Sequence, residues 1–172
     1  PKGNLDSIIS DFNYFMSDKC KNEYTLLGIP YKRNYLFEGL PGTGKTSLIV
    51  ALASICKKDI AILSFNEKFT DVDLMRALTT VSEDCILVME DVDALFQERK
   101  KNDDLQVKIT FSGLLNSLDG LNYKSGQVVI MTTNHKLNLD PALIRAGRID
   151  YLMHFTNITK EQTKVMFIKF MY

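Results

Sequence analysis

Gly39-Leu40-Pro41-Gly42-Thr43-Gly44-Lys45-Thr46 is the stretch on which the fold turns. It reads G-x-x-x-x-G-K-T, the spacing of a phosphate-binding loop. The apolar run Tyr35-Leu36-Phe37 before it suits a buried strand, and residues 47–56 (SLIVALASIC) after it suit a buried helix. Glycines let the backbone curl around an anion without Cβ clashes. The N–H groups of the loop and the positive end of the next helix then face that anion. Lys45 is placed to reach β- and γ-phosphates, and the Thr46 hydroxyl to hold Mg²⁺. Gly39 through Thr46, with Ser47 behind them, are therefore expected to bind a nucleoside triphosphate.

The length of 172 residues fits one domain, and a hydrophobic content of 45% suffices for a core. Lys+Arg and Asp+Glu are both 21, so the net charge is zero, which argues against a dedicated nucleic-acid binder. Cys20, Cys56 and Cys85 are far apart and read as reduced thiols; His135 and His154 lack partners at metal-ligand spacing. No apolar run approaches bilayer length. The chain starts at Pro1, and the expectation is a piece of a longer protein, with any membrane anchor outside it.

Outward from the loop, short apolar runs alternate with helical patterns. Strands are expected at about 34–38, 59–65, 85–89, 127–133 and 151–155. One amphipathic helix is expected over 6–21, from Leu5, Ile8, Ile9, Phe12, Phe15 and Met16. Thr70 with Asp73 opens a helix over 71–81, its apolar side drawn from Val72, Met75, Leu78 and Thr79. Residues 97–108 read as a solvated loop and 110–118 as a helix ended by Asp119-Gly120. Asp140-Pro141 starts a short helix that Gly147 stops, and Thr159-Lys160-Glu161-Gln162 is a capping box for the last helix. The alternation predicts an α/β fold, a five-stranded parallel sheet with helices on both faces.

Phosphoryl transfer needs a metal, an oriented water and positive charge near the developing transition state. Ile86-Leu87-Val88-Met89 ends in Glu90-Asp91, at the place where phosphate-loop NTPases carry a metal-side acid followed by a water-side base. The usual order there is Asp then Glu. By position Glu90 is the metal acid and Asp91 the base, and the shorter base predicts slow hydrolysis or a shifted water. Asp93 is a candidate to support either acid. Asn134, after Thr132-Thr133, is placed to orient water or contact the γ-phosphate. Arg145 and Arg148 flank a helix end, and an arginine on a γ-phosphate is worth about 10³- to 10⁵-fold in rate.

Together the phosphate loop, the acidic strand end, Thr132-Thr133-Asn134 and Leu139-Asp140-Pro141-Ala142-Leu143-Ile144-Arg145-Ala146-Gly147-Arg148 resemble the AAA family of ring-forming ATPases. The resemblance implies ATP and Mg²⁺ as cofactors, Asn134 as a γ-phosphate sensor, and Arg145 and Arg148 acting across a subunit interface of a homo-oligomeric ring. It implies a nucleotide-binding core over residues 1–157 and, over 158–172, the first helix of a small helical lid whose remainder is not in this sequence. It also places residues 4–8 at the edge of an adenine pocket. Gly28-Ile29-Pro30-Tyr31-Lys32-Arg33-Asn34-Tyr35-Leu36, the Glu90-Asp91 order and Thr110-Phe111-Ser112-Gly113-Leu114-Leu115-Asn116-Ser117-Leu118-Asp119-Gly120 look closer to one branch, the mitochondrial inner-membrane chaperones that assemble respiratory complex III. That branch implies a protein cargo and an inner-membrane location.

Ala146 and Leu40 stand where the family usually has proline. Residues 66–70 (NEKFT) lack the aromatic–hydrophobic–glycine triplet of many unfoldases, which disfavours strand-by-strand threading. Two other classes stay open on the residues alone. A DNA-acting relative, of clamp-loader or initiator type, would show phosphate binding at low salt. A small-molecule phosphate-loop kinase would need no arginine from a neighbour.

Overall fold

Strands and helices alternate along the chain because short, nearly continuous apolar runs, buried on both faces over Cys85–Met89 and Gln127–Thr133, alternate with runs of helical period. The computed structural model describes residues 2–63, 65, 69–93, 109–119, 124–135, 139, 141–145 and 147–171. Residues 66–68 and the charged stretch 97–108 lie outside these, as does Asp140, the expected N-cap.

Helices α1 (Lys2–Phe15) and α2 (Asp18–Leu27) lead into strand β1 (Lys32–Gly39) and helix α3 (Lys45–Cys56). Then come β2 (Asp59–Leu63), α4 (Asp71–Thr80), β3 (Cys85–Met89), α5 (Phe111–Asp119) and β4 (Gln127–Thr133). A 3-10 turn (Pro141–Ile144), β5 (Tyr151–Phe155) and α6 (Lys160–Met171) complete the described elements. The five strands lie in the order β2-β3-β4-β1-β5, and all neighbours are parallel. Each strand falls within a residue or two of its expected bounds.

One expected helix is two. Ser17 takes an extended conformation (φ −81°, ψ 146°), and its hydroxyl accepts the Cys20 N–H at 3.3 Å. A serine N-cap with an acid behind it starts a new helix more favourably than it continues the old one.

Alternation along β1 sends Tyr35 and Phe37 to one face and Leu36 to the other. The first face, with Ile86, Val88, Val128 and Ile130, is covered by Ile8, Phe12 and Phe15 of α1 and Leu48, Ile49 and Leu52 of α3. The second, with Leu87, Met89, Val129 and Met131, is covered by Leu74 and Leu78 of α4 and Leu114 and Leu118 of α5. Helix α4 thus buries Leu74 and Leu78 rather than the side containing Val72, which is 66% exposed. The reason lies in another element. The Asp71 carboxylate accepts the N–H and the hydroxyl of Thr110, each at 2.7 Å. Asp71, Leu74 and Leu78 share one helix face at i, i+3, i+7, so this clamp turns the leucines inward. Gly113 makes the approach possible, since a Cβ there would lie 2.1 Å from Asp71 Oδ1. The Thr70/Asp73 and Thr159/Gln162 capping boxes form as expected.

Candidate active site

The connections leaving β1 and β4 depart in opposite directions, toward β2 and toward β5, so a crevice opens outside their carboxyl ends. The phosphate loop stands on one side of it and Asn134 on the other.

The loop's first residue is set by close packing. Gly39 has φ +157°, and a Cβ on it would sit 2.4 Å from the Phe155 carbonyl oxygen at the end of β5. Gly39→Ala is therefore expected to force the two strand ends apart, at a cost of about 2–3 kcal/mol. A drop in thermal midpoint together with lost nucleotide binding is the check. Gly42 and Gly44 take φ +76° and +95°, the left-handed conformations that curl the loop.

Lys45 is buried and spends its three protons inside the site. Nζ donates to the Gly39 oxygen at 2.7 Å, the Leu40 oxygen at 3.1 Å and Asn134 Oδ1 at 2.8 Å. Burial pushes its pKa down, and the charges of Asp91 and Asp93 push it back up. Asn134 in turn donates from Nδ2 to Asp91 Oδ1 at 2.7 Å. Lys45, the Asn134 amide and Asp91 thus form one hydrogen-bonded chain.

Thr46 Oγ1 donates to Glu90 Oε1 at 2.9 Å. A hydroxyl and a carboxylate side by side at the mouth of a phosphate loop are hard oxygen donors. They fit Mg²⁺, which takes one or two carboxylates and completes its octahedron with phosphate oxygens and water.

Asp91 has φ +49°, in the left-handed region. Its N–H donates to Thr132 Oγ1 at 3.0 Å and the Val92 N–H to the Thr132 oxygen at 2.9 Å, which hold the chain in that turn. Aspartate and asparagine adopt this region far more readily than longer side chains. The backbone thus gives a physical reason for the Glu90-Asp91 order: the second position favours the short acid.

Asp93 is buried, and its Oδ1 accepts the Thr133 hydroxyl at 2.9 Å and the Asn134 N–H at 3.2 Å. It thus fastens the main chain at Asn134, a contact with no signal in the sequence beyond its closeness to Asp91. Residues 4–8 lie in α1, where Ile8 is fully buried in the core and Ser7 Oγ accepts the Tyr151 hydroxyl at 3.0 Å.

The two arginines sit elsewhere. Gly147, at φ +89°, bends the chain so that the Arg148 and Ile149 N–H groups return to the Arg145 oxygen at 3.1 and 3.4 Å. Arg148 Nε donates to both oxygens of Asp119 at 2.8 and 2.9 Å, and Nη1 to the Ala142 oxygen at 2.7 Å. The Arg145 side chain is exposed and has no hydrogen bond or ion pair among the described residues. This turn is fastened to the amino end of β1, where the Asp150 N–H donates to the Asn34 oxygen at 2.9 Å. Asn34 lies five strand residues before Gly39, and at about 3.3 Å per residue the turn is held roughly 16 Å from the phosphate loop of its own chain. The structure brings together Lys45, Thr46, Glu90, Asp91 and Asn134, and it keeps Arg145 and Arg148 apart from them.

Asp119, expected only to end a helix, is the partner that sequence reading missed. The hydrogen bond from Arg148 holds its carboxyl below the usual range, against a smaller desolvation effect. A depressed folded-state pKa means that the bond contributes above pH ~4, where an ordinary Asp is ionised, and is lost as pH falls through the lower value. A carboxyl NMR titration of Asp119 is expected to show a midpoint below that of the exposed aspartates.

Among the described residues no group of three or more His, Cys, Asp or Glu could hold a metal alone. Nor is any described helix long and apolar enough to cross a membrane. The family model described as "ATPase family associated with various cellular activities (AAA)" matches residues 35–157. The chain is 44% identical over 150 residues to the "Probable mitochondrial chaperone bcs1" of Schizosaccharomyces pombe, covering 86% of this chain and 33% of that protein. It is 39% identical over 176 residues to the "Mitochondrial chaperone BCS1" of Homo sapiens, covering 98% and 42%. The "Probable mitochondrial chaperone BCS1-A" of Dictyostelium discoideum is 39% identical over 171 residues, covering 95% and 40%. The chain spans a third to two-fifths of the length of these relatives.

Proposed function

This chain belongs to the AAA family of ATPases, and on that premise we propose that it is the ATP-hydrolysing core of a ring-forming chaperone that acts on a protein cargo. The observation that carries the hydrolytic part is the chain Lys45–Asn134–Asp91 beside the pair Thr46–Glu90. ATP lies on residues 39–47. Lys45 exchanges its bonds to Gly39, Leu40 and Asn134 for phosphate oxygens, and Asn134 reads the γ-phosphate through Nδ2, which leaves Asp91 Oδ1 to do so. Thr46 and, on the acid side, Glu90 would hold Mg²⁺, which when bound would supply positive charge to the phosphate oxygens. Asp91, in its left-handed turn, takes the proton of the attacking water.

Arg145 and Arg148 act on the nucleotide of the neighbouring copy. The 16 Å offset along β1 supports this, because neither arginine turn nor strand bends back to the loop of its own chain. Arg145 is free as it stands, whereas Arg148 must first leave Asp119. Residues 1–157 form the core and 158–172 open a helical lid. The named relatives support a mitochondrial setting. The balanced charge gives no support to the DNA-acting reading. Specific ATPase activity of the intact protein is expected to rise with protein concentration and then level off. A constant value across a wide dilution range would point to a self-sufficient monomer.

A further inference from the structure

The geometry points to Asn34 as the residue that positions the arginine turn, an assignment that rests on the reading of Arg145 and Arg148 above. Asn34 is fully buried in β1. Alternation puts its side chain on the face of Lys32 and Leu36, the face that meets α5, where Lys32 Nζ donates to the Leu118 oxygen. There Asn34 Nδ2 donates to the Arg148 oxygen at 2.8 Å. Its N–H donates to Asp150 Oδ2 at 2.8 Å, and its own oxygen accepts the Asp150 N–H. Three bonds from one residue fasten segment 148–150 to the sheet, and of these the bond to Arg148 alone depends on the Asn34 side chain.

A second observation supports a role other than packing. Asn34 Oδ1 is buried with no hydrogen-bond partner among the described residues. A half-satisfied amide in a dry site is a net cost, and leucine, of similar volume, would fill the place without it. The bond to the Arg148 oxygen accounts for the amide. Because the Arg148 and Ile149 N–H groups close on the Arg145 oxygen, fixing residue 148 also fixes where Arg145 leaves the surface. Asp119 and Asn34 hold the same arginine differently. Asp119 grips the guanidinium and must release it before Arg148 reaches a neighbour. Asn34 grips the main chain and holds on throughout, so it is the permanent mount.

The test is Asn34→Leu in the intact oligomer. The expected result is a fall in kcat of about tenfold to a hundredfold. Affinity for a fluorescent ATP analogue should stay within about twofold, and the thermal midpoint should be no lower than that of the starting protein. On the residual activity of the combined Arg145→Ala and Arg148→Ala protein, adding Asn34→Leu is expected to change kcat no further, because both arginines act from the one turn that Asn34 holds. Asn34→Ala, which also lacks the Nδ2 donor and buries no charge, repeats the measurement if the leucine variant does not fold. Unchanged kcat in the folded Asn34 variant, or a further loss when it is added to the double arginine variant, overturns the assignment while the arginine reading stands. Full turnover by the combined Arg145→Ala and Arg148→Ala protein overturns both.

Discussion

Replacing Arg145 and Arg148 together by alanine is expected to lower kcat for ATP by about 10³-fold or more, with nucleotide affinity little changed. The separation of effects follows from where the residues sit. In the proposed scheme the phosphate contacts come from residues 39–47 of one copy, whereas the arginine turn hangs from Asn34 at the far end of β1. On that scheme binding is assembled within a chain and the transition-state charge is met from outside it. Mixing makes the argument sharper. Protomers carrying Lys45→Ala cannot hold the triphosphate but still own their arginines; protomers carrying the two arginine substitutions hold it but cannot assist. Co-assembled, they are expected to recover activity that neither has alone. A mixed ring as inactive as its parts, or full activity in the arginine variant, would defeat the trans-acting scheme. The single substitutions are expected to differ in character. Arg145 is unencumbered, and its loss removes a contact. Arg148 is also a strut between Asp119 and the Ala142 oxygen, so its loss should lower the thermal midpoint as well.

Asp91→Asn is the second large effect, an expected fall of about 10²- to 10⁴-fold in kcat with ATP still bound. Asparagine is the right probe because it tolerates φ +49° as well as aspartate does, so the backbone at the site is kept and only the proton acceptor is removed. Asp91→Glu, by contrast, puts the acid usual in phosphate-loop NTPases at the second position but asks a longer side chain to adopt the left-handed turn. It is expected to turn over more slowly than the native protein and to melt earlier. Native turnover by Asp91→Asn would move the base to Glu90, and Glu90→Gln would then carry the loss.

Much of this was legible in the order of residues. The G-x-x-x-x-G-K-T spacing, the apolar strands and the acids at the end of β3 are local patterns, and a strand or a loop of that kind is recognised over a window of about ten residues. Where reading failed, a hydrogen bond decided the outcome, once within three residues and otherwise to a partner distant in the chain. The expected single helix over 6–21 broke because the Ser17 hydroxyl competes for the Cys20 N–H. The buried side of α4 was set by Thr110, 39 residues beyond Asp71. Asp93 reaches Thr133, beside Asn134, across 40 positions, and Arg148 reaches Asp119 across 29.

The sequence by itself determined that a triphosphate loop stands on a parallel sheet, because curling a backbone round an anion demands glycine, lysine and threonine at fixed intervals. Only the tertiary structure decided which residues share the site. It joined Lys45, Asn134 and Asp91 into one chain, gave position 91 a conformation that suits the shorter acid, and hung the arginines at the opposite end of β1. Those outcomes depend on which strands pair and which faces pack, and pairing and packing join residues that no fixed spacing connects.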